Sequence, residues 1–457
     1  MTRRVSSLAA LVAAIVATSA LLATRNAVAG ITFDVTFTVN SSLDQPDDLT
    51  VPGTCHTAAG TCTLRAAVMQ ANRTSGLGVT IVLPAGLYTL TIPAMGGDGD
   101  DSGDLELYET PGSNPGVDII GAGASATIID GNRLSRIFFI FGTRTVSLSG
   151  VTLRNGHGDF GGAIYNAGTL MVTRSAITGS EVVVGGGAIF NNGTLTVSQS
   201  SVSGNHSGNN GGAIFNAGAS ALSQSTISGN HSDFGGGIYN LGSLVVINST
   251  ISGNAADSDG GGIYNGASGT PTIADVYNST IVFNGADVDV DPVYGGTGGG
   301  VYNDPASSFN LRNSLLAGNS VAQTPLSDDC TGILSSGGRN LIGVSGDPAP
   351  CTINVVSGSW TSLNSTSLID ILRNKGGPTK THALLTGSNA IDGGDPTFGC
   401  TDSNGNTIAT DQRGAPRVTG VRCDIGAFEV PEPASMAAAA VATVTLVSMR
   451  RATRGAR

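Results

Sequence analysis

A hexapeptide of the form Gly-Gly-(Ala/Gly)-(Ile/Val)-(Tyr/Phe)-Asn occurs six times, ending at Asn166, Asn191, Asn216, Asn240, Asn265 and Asn303, with spacings of 25, 25, 24, 25 and 38 residues. A second element, of the type Ser-x-Ile-Ser-Gly-Asn, alternates with it and ends at Asn155, Ser180, Asn205, Asn230, Asn254, Asn284 and Asn319. From the first element to the second the distance is 14 residues in four successive repeats, whereas the way back varies from 10 to 19 through Gly- and Asp-rich stretches. The first half is thus rigid, and the second reads as loop. Apolar residues alternate over runs of three to five, as in Leu195-Thr196-Val197, each closed by Gly, Asn or Ser, which marks short strands between tight turns. A period near 25 holding two or three such strands is one coil of a parallel β-helix, in which every coil pairs with those above and below. Leucine-rich repeats need a regular leucine frame and propeller blades about 40–50 residues, so neither fits.

Stacked coils turn a repeat into columns of like side chains. The triple glycines mark corners, where positive φ is free of steric cost only without a Cβ. Asn166, Asn191, Asn216, Asn240, Asn265 and Asn303 are expected to be structural, occupying the left-handed region and pairing their amides from coil to coil. Tyr165, Phe190, Phe215, Tyr239, Tyr264 and Tyr302 precede them and should form one aromatic column, either a structural stack or an outward platform for sugar rings. Unbroken alternation puts Ile and Asn on one face and the aromatics on the other.

Composition narrows the function classes. Of 457 residues 67 are glycine and 12% are charged, yet 40% are hydrophobic, enough for a core. The 33 acidic against 22 basic residues, net −11, exclude a nucleic-acid partner, which requires a basic surface. Lysine occurs only at 375 and 380, leaving little material for phosphate-loop or Schiff-base chemistry. Six cysteines fit an oxidising compartment. They fall as Cys55 and Cys62, Cys330 and Cys351, and Cys400 and Cys423; fifteen pairings are open to six thiols, and local pairing is the most economical.

Both ends read as addresses. Arg3 and Arg4, an apolar run from Leu8 to Ala23 and Ala27-Val28-Ala29 describe a secretory signal peptide over 1–29, implying the Sec export machinery as a partner. At the far end Pro431-Glu432-Pro433 precedes an apolar stretch from Met436 to Met449 and Arg450, Arg451, Arg454 and Arg457. This stretch is short of the roughly 20 residues of a comfortable span, so it is expected to act as a transient inner-membrane helix, its arginines cytoplasmic. The arrangement over 430–457 resembles the PEP-CTERM sorting signal. The resemblance implies processing by an exosortase and the envelope surface or extracellular matrix of a Gram-negative bacterium.

Within 30–110, Cys62-Thr63-Leu64-Arg65-Ala66-Ala67-Val68-Met69-Gln70-Ala71-Asn72 has Leu64, Ala67, Val68 and Ala71 on one helical face, with Thr61 or Thr63 as cap. A short amphipathic helix of this kind suits the open end of a solenoid. The string resembles the CSLREA motif of bacterial surface β-helix proteins, with Thr63 for Ser and Ala66 for Glu. The repeats occupy 111–330. Over 331–429, Asn340-Leu341-Ile342-Gly343, Gly376-Gly377-Pro378-Thr379, Thr381-His382-Ala383-Leu384, Asp411-Gln412-Arg413-Gly414 and Cys423-Asp424-Ile425-Gly426-Ala427-Phe428-Glu429 are similar to the choice-of-anchor Q domain. Together these resemblances imply a surface-anchored, right-handed parallel β-helix of the pectate-lyase-like type, with no agreed activity.

The reading is an exported structural or adhesive β-helix that binds extracellular polysaccharide; the alternative is a polysaccharide lyase or glycoside hydrolase. A hydrolase would need a carboxylate pair about 5–10 Å apart, for which Asp159, Asp233, Asp257 and Asp259 occupy the same loop of successive coils. Alternating oxygen donors at Asp98, Asp100 and Asp104, and at Asp287, Asp289 and Asp291, make calcium the cofactor to test. His206 and His231, one repeat apart, are expected to stack.

Overall fold

The computed structural model describes residues 33–431 except 75, 95–102, 109–115, 268, 270, 290–294, 323–327, 344–350, 356–368, 397–398, 403 and 418–421. Its strands form four sheets of 12, 10, 9 and 7 members, and every strand pairs in parallel with the equivalent strand one coil away. The chain winds as a right-handed parallel β-helix. One coil runs through Ile189–Asn191, Thr194–Ser198, Ser201–Ser203 and His206–Ser207 before Ile214–Asn216 opens the next. A coil therefore has four strands, not two or three. The fourth lies in the variable stretch read as loop; it is only two residues long in most coils, too short to show alternation.

Two apolar columns run through the shaft. Ile164, Ile189, Ile214, Ile238, Ile263 and Val301 form one; Ile177, Val202, Ile227, Ile251, Ile281 and Leu316 form another, all at most 1% exposed. Each such side chain contributes about 1.5–3 kcal/mol by leaving water. The corner glycines are fixed by space as well as by φ. Gly186 sits at φ 69°, where a Cβ would lie 2.3 Å from the Ile189 carbonyl oxygen, and a Cβ on Gly187 would lie 2.2 Å from that of Gly212 in the next coil.

The one helix among the described residues, α1 (Leu64–Arg73), is capped by Thr63, whose hydroxyl accepts from the Ala66 amide at 3.1 Å. Leu64, Ala67, Val68 and Ala71 join the core and close the first coil. Arg65 is buried and pairs with Asp44, with Nε to Oδ1 at 2.7 Å, while its Nη2 donates to the Gly103 carbonyl at 2.8 Å.

The described residues of 369–431 do not extend the solenoid. They fold back along its flank as a clasp whose bridges, such as Ile369 to Leu384 and Arg373 to Thr381, are antiparallel. Gln412 Nε2 donates to Thr226 Oγ1 at 2.9 Å, Thr250 donates to Gln412 Oε1 at 2.6 Å, and Arg417 Nη2 reaches Asn248 Oδ1 at 2.6 Å and the Asn278 carbonyl at 3.1 Å. His382 Nδ1 faces the Asp370 carbonyl at 2.6 Å, which assigns the proton there and leaves Nε2 to accept from Ser252 Oγ at 2.8 Å. Burial lowers the His382 pKa, in keeping with a neutral ring. Disulfides join Cys55 to Cys62, Cys330 to Cys351 and Cys400 to Cys423, the last inside the clasp.

Candidate functional site

The six hexapeptide asparagines are fully inside the shaft. Nδ2 of Asn166 donates to Oδ1 of Asn191 at 2.7 Å, and the chain continues through Asn216, Asn240, Asn265 and Asn303 at 2.7–2.8 Å. They lie within strands and not in the left-handed region, which corrects that part of the sequence expectation: an amide pointing along the axis needs extended backbone. Left-handed residues sit elsewhere, at Arg174, Gln199, Gln224, Asn248, Asn278 and Asn313, with φ between 47° and 50°. Such a conformation costs about 1–2 kcal/mol per non-glycine residue. Bonds to the clasp offset it: Gln224 Nε2 donates to the Asp411 carbonyl at 3.0 Å and Asn248 Nδ2 to that of Thr410 at 2.7 Å.

A second amide chain follows the other repeated element. Asn205, Asn230, Asn254, Asn284 and Asn319 are linked Nδ2 to Oδ1 at 2.9–3.0 Å, and Asn319 donates to Asp329 Oδ1 at 2.8 Å. The sequence shows the period of this element but not the inward turn of its amides. Asp329 ends the chain fully buried, with Oδ2 shielded from solvent and without a hydrogen-bond partner. Burial pushes its carboxyl up to about 7, against the lowering effect of the Asn319 bonds. The unfolded chain, titrating near its ordinary value, has released that proton well below this pH. The stability it confers is therefore fully present below about pH 4 and lost as pH rises through about 7. Asp329→Asn is expected to flatten the decline in the urea midpoint between about pH 5 and 8; an unchanged slope would place the dependence on other groups.

The aromatic column faces outward, half-buried. Centroids from Tyr165 to Tyr302 are 4.6–5.2 Å apart with interplanar angles of 9–24°. Ring faces are thus turned to one another along the axis, and the column presents edges and hydroxyls sideways.

The four candidate carboxylates separate. Asp233 and Asp257 share the fourth sheet's face with the stacked His206 and His231, whose centroids are 5.2 Å apart, and His231 Nε2 meets Asp257 Oδ1 at 2.8 Å. Burial first, then Asp257, raises the Asp233 carboxyl. Asp259 instead accepts from Thr297 N and Oγ1 at 2.8 and 2.9 Å. Asp159 lies toward Arg136.

Of the calcium candidates, Asp98, Asp100 and Asp291 lie outside the described residues. Asp104 is balanced by Arg136 Nη1 at 3.1 Å, and Asp287 is buried whereas Asp289 is at the surface turn. Among the described residues no group of three His, Cys, Asp or Glu gathers to hold a metal. The signal peptide, Glu432, Pro433 and the 436–449 stretch also lie outside the described residues; Pro431 is within them. Among the described residues no helix is long and apolar enough to cross a membrane. A cleft of about 300 Å³ opens between Arg339 and the clasp residues Ser388, Asn389, Ile391, Asp392 and Gly393.

Fold and site together define a parallel β-helix shaft with a laterally docked C-terminal clasp. No family model and no curated protein matches the chain. Solved structures similar to it include a pectate lyase, Pel9A, at 16% identity over 88% of this chain and 97% of that one with a TM-score of 0.42, and a rhamnogalacturonan lyase at 12% identity over 78% and 96% with a TM-score of 0.40.

Proposed function

We propose that the protein is an exported shaft of the cell envelope that displays a rigid lateral surface to extracellular polysaccharide, delivered by Sec export and sorted by an exosortase acting at Pro431-Glu432-Pro433. The carrying observation is the use made of polar and aromatic side chains: amide, hydroxyl and ring columns bind the next coil, building stiffness along the axis. Three disulfides support an oxidising destination. The purified chain is expected to bind on an array of extracellular glycans without releasing new reducing ends or unsaturated sugars.

One observation favours the enzymatic alternative. On the open fourth face Asp257 holds His231 beside Asp233, an arrangement able to move a proton. Sugar products that appear with the wild-type chain and disappear with Asp257→Asn would transfer the reading to a lyase or hydrolase.

A further inference from the structure

Three consecutive coils carry tyrosine in the aromatic column. Tyr239, Tyr264 and Tyr302 are in direct register. Tyr239 and Tyr264 have centroids 4.8 Å apart at 9°, and Tyr264 and Tyr302 are 4.6 Å apart at 10°. These are the tyrosine–tyrosine ring contacts among the described residues. Tyr165, in the same column, is separated from them by Phe190 and Phe215. Tyr88 is turned to the Pro84 carbonyl, and Tyr277 is buried among Ala221, Val245 and Ile247.

We propose that this triplet is a site of oxidative cross-linking, in which a one-electron oxidant couples Tyr264 to Tyr239 or Tyr302 as a dityrosine. The geometry removes the usual obstacle to coupling, which is bringing two short-lived phenoxyl radicals together. Here the partner ring is the nearest neighbour on either side of Tyr264, its plane nearly parallel, and the backbone register holds it there. Half-burial leaves the ring edges within reach of solvent while shielding the faces. Asp304 stands near all three phenols and Asp259 near Tyr264 and Tyr302, so carboxylates are at hand for the departing protons.

The step balances with hydrogen peroxide, activated by a haem peroxidase, as oxidant. Each phenol gives up one electron and one proton to become a phenoxyl radical. The radicals form a carbon–carbon bond between ring positions ortho to oxygen, and the two ring hydrogens lost there restore aromaticity as the phenols re-form. Net, two tyrosines lose two hydrogens and one peroxide becomes two waters. The product would staple adjacent coils covalently toward the C-terminal end of the shaft, independently of any glycan bound to it.

The test treats the full chain with a haem peroxidase and hydrogen peroxide, reading dityrosine fluorescence and mapping cross-linked peptides in the monomer by mass spectrometry. The expected product is a monomer lighter by two hydrogens, with Tyr264 joined to Tyr239 or Tyr302. Tyr264→Phe should lose that product while remaining folded, because phenylalanine already occupies the column at 190 and 215. Tyr165→Phe should leave the yield unchanged. Absence of dityrosine in the wild type, bonds only between chains, bonds mapped elsewhere, or an undiminished yield in Tyr264→Phe would each overturn the proposal.

Discussion

Replacing Arg417 with alanine is expected to destabilise the docked clasp by about 3–5 kcal/mol. The guanidinium is 1% exposed, and Nη2 alone reaches Asn248 Oδ1, the Asn278 carbonyl and, at 2.6 Å, the Gly426 carbonyl. Nη1 lies 3.6 Å from Glu429 Oε2, and Asp411 and Asp424 add to the surrounding negative charge. Truncation removes the cation that balances these buried acids and leaves backbone acceptors in a dry site. Limited proteolysis should cut Arg417→Ala within 369–431 while the coils persist. Cleavage at the wild-type rate would show that other contacts hold the clasp. Arg417→Lys should fall between the two, since an ammonium cannot reproduce the planar fork.

Asn191→Ala should cost about 1–3 kcal/mol, because it removes a buried hydrogen bond on each side of one coil and leaves Asn166 Nδ2 with the Thr194 carbonyl alone and Asn216 Oδ1 with the Ser220 hydroxyl. Asn166 Nδ2 loses its 2.7 Å acceptor and Asn216 Oδ1 its 2.8 Å donor, all at 0% exposure. The readout is the urea midpoint at constant slope, and an unchanged midpoint would mean that the amide chain adds nothing to folding.

Much of the shaft was legible because identical residues one period apart must coincide in space once coils stack. The register of Asn191 on Asn216 and of Tyr239 on Tyr264 follows from that alone. The left-handed corner was not legible, since Arg, Gln and Asn fill it and no single residue type marks it. What Gln224, Asn248, Asn278 and Asn313 share is a partner in the clasp, and that partner is remote: Gln224 and Asp411 are 187 positions apart with no period between them. The two-residue fourth strand offered no alternation to read, so the meeting of Asp257 with His231 stayed hidden. The divergence of Asp259 had a similar cause. It turns to Thr297, across an insertion that lengthens one repeat to 38 residues.

The clasp also determines how the shaft takes a load. Tension applied through Pro431 enters at the apolar cluster that joins Val282, Leu315 and Leu341 of the shaft to Ile425 and Phe428 of the clasp, against which Val430 packs, and spreads across the coils of Gln224, Asn248, Asn278 and Asn313. Those four rungs must then slide past the clasp together in shear, a harder failure than peeling the last rung from a bare end.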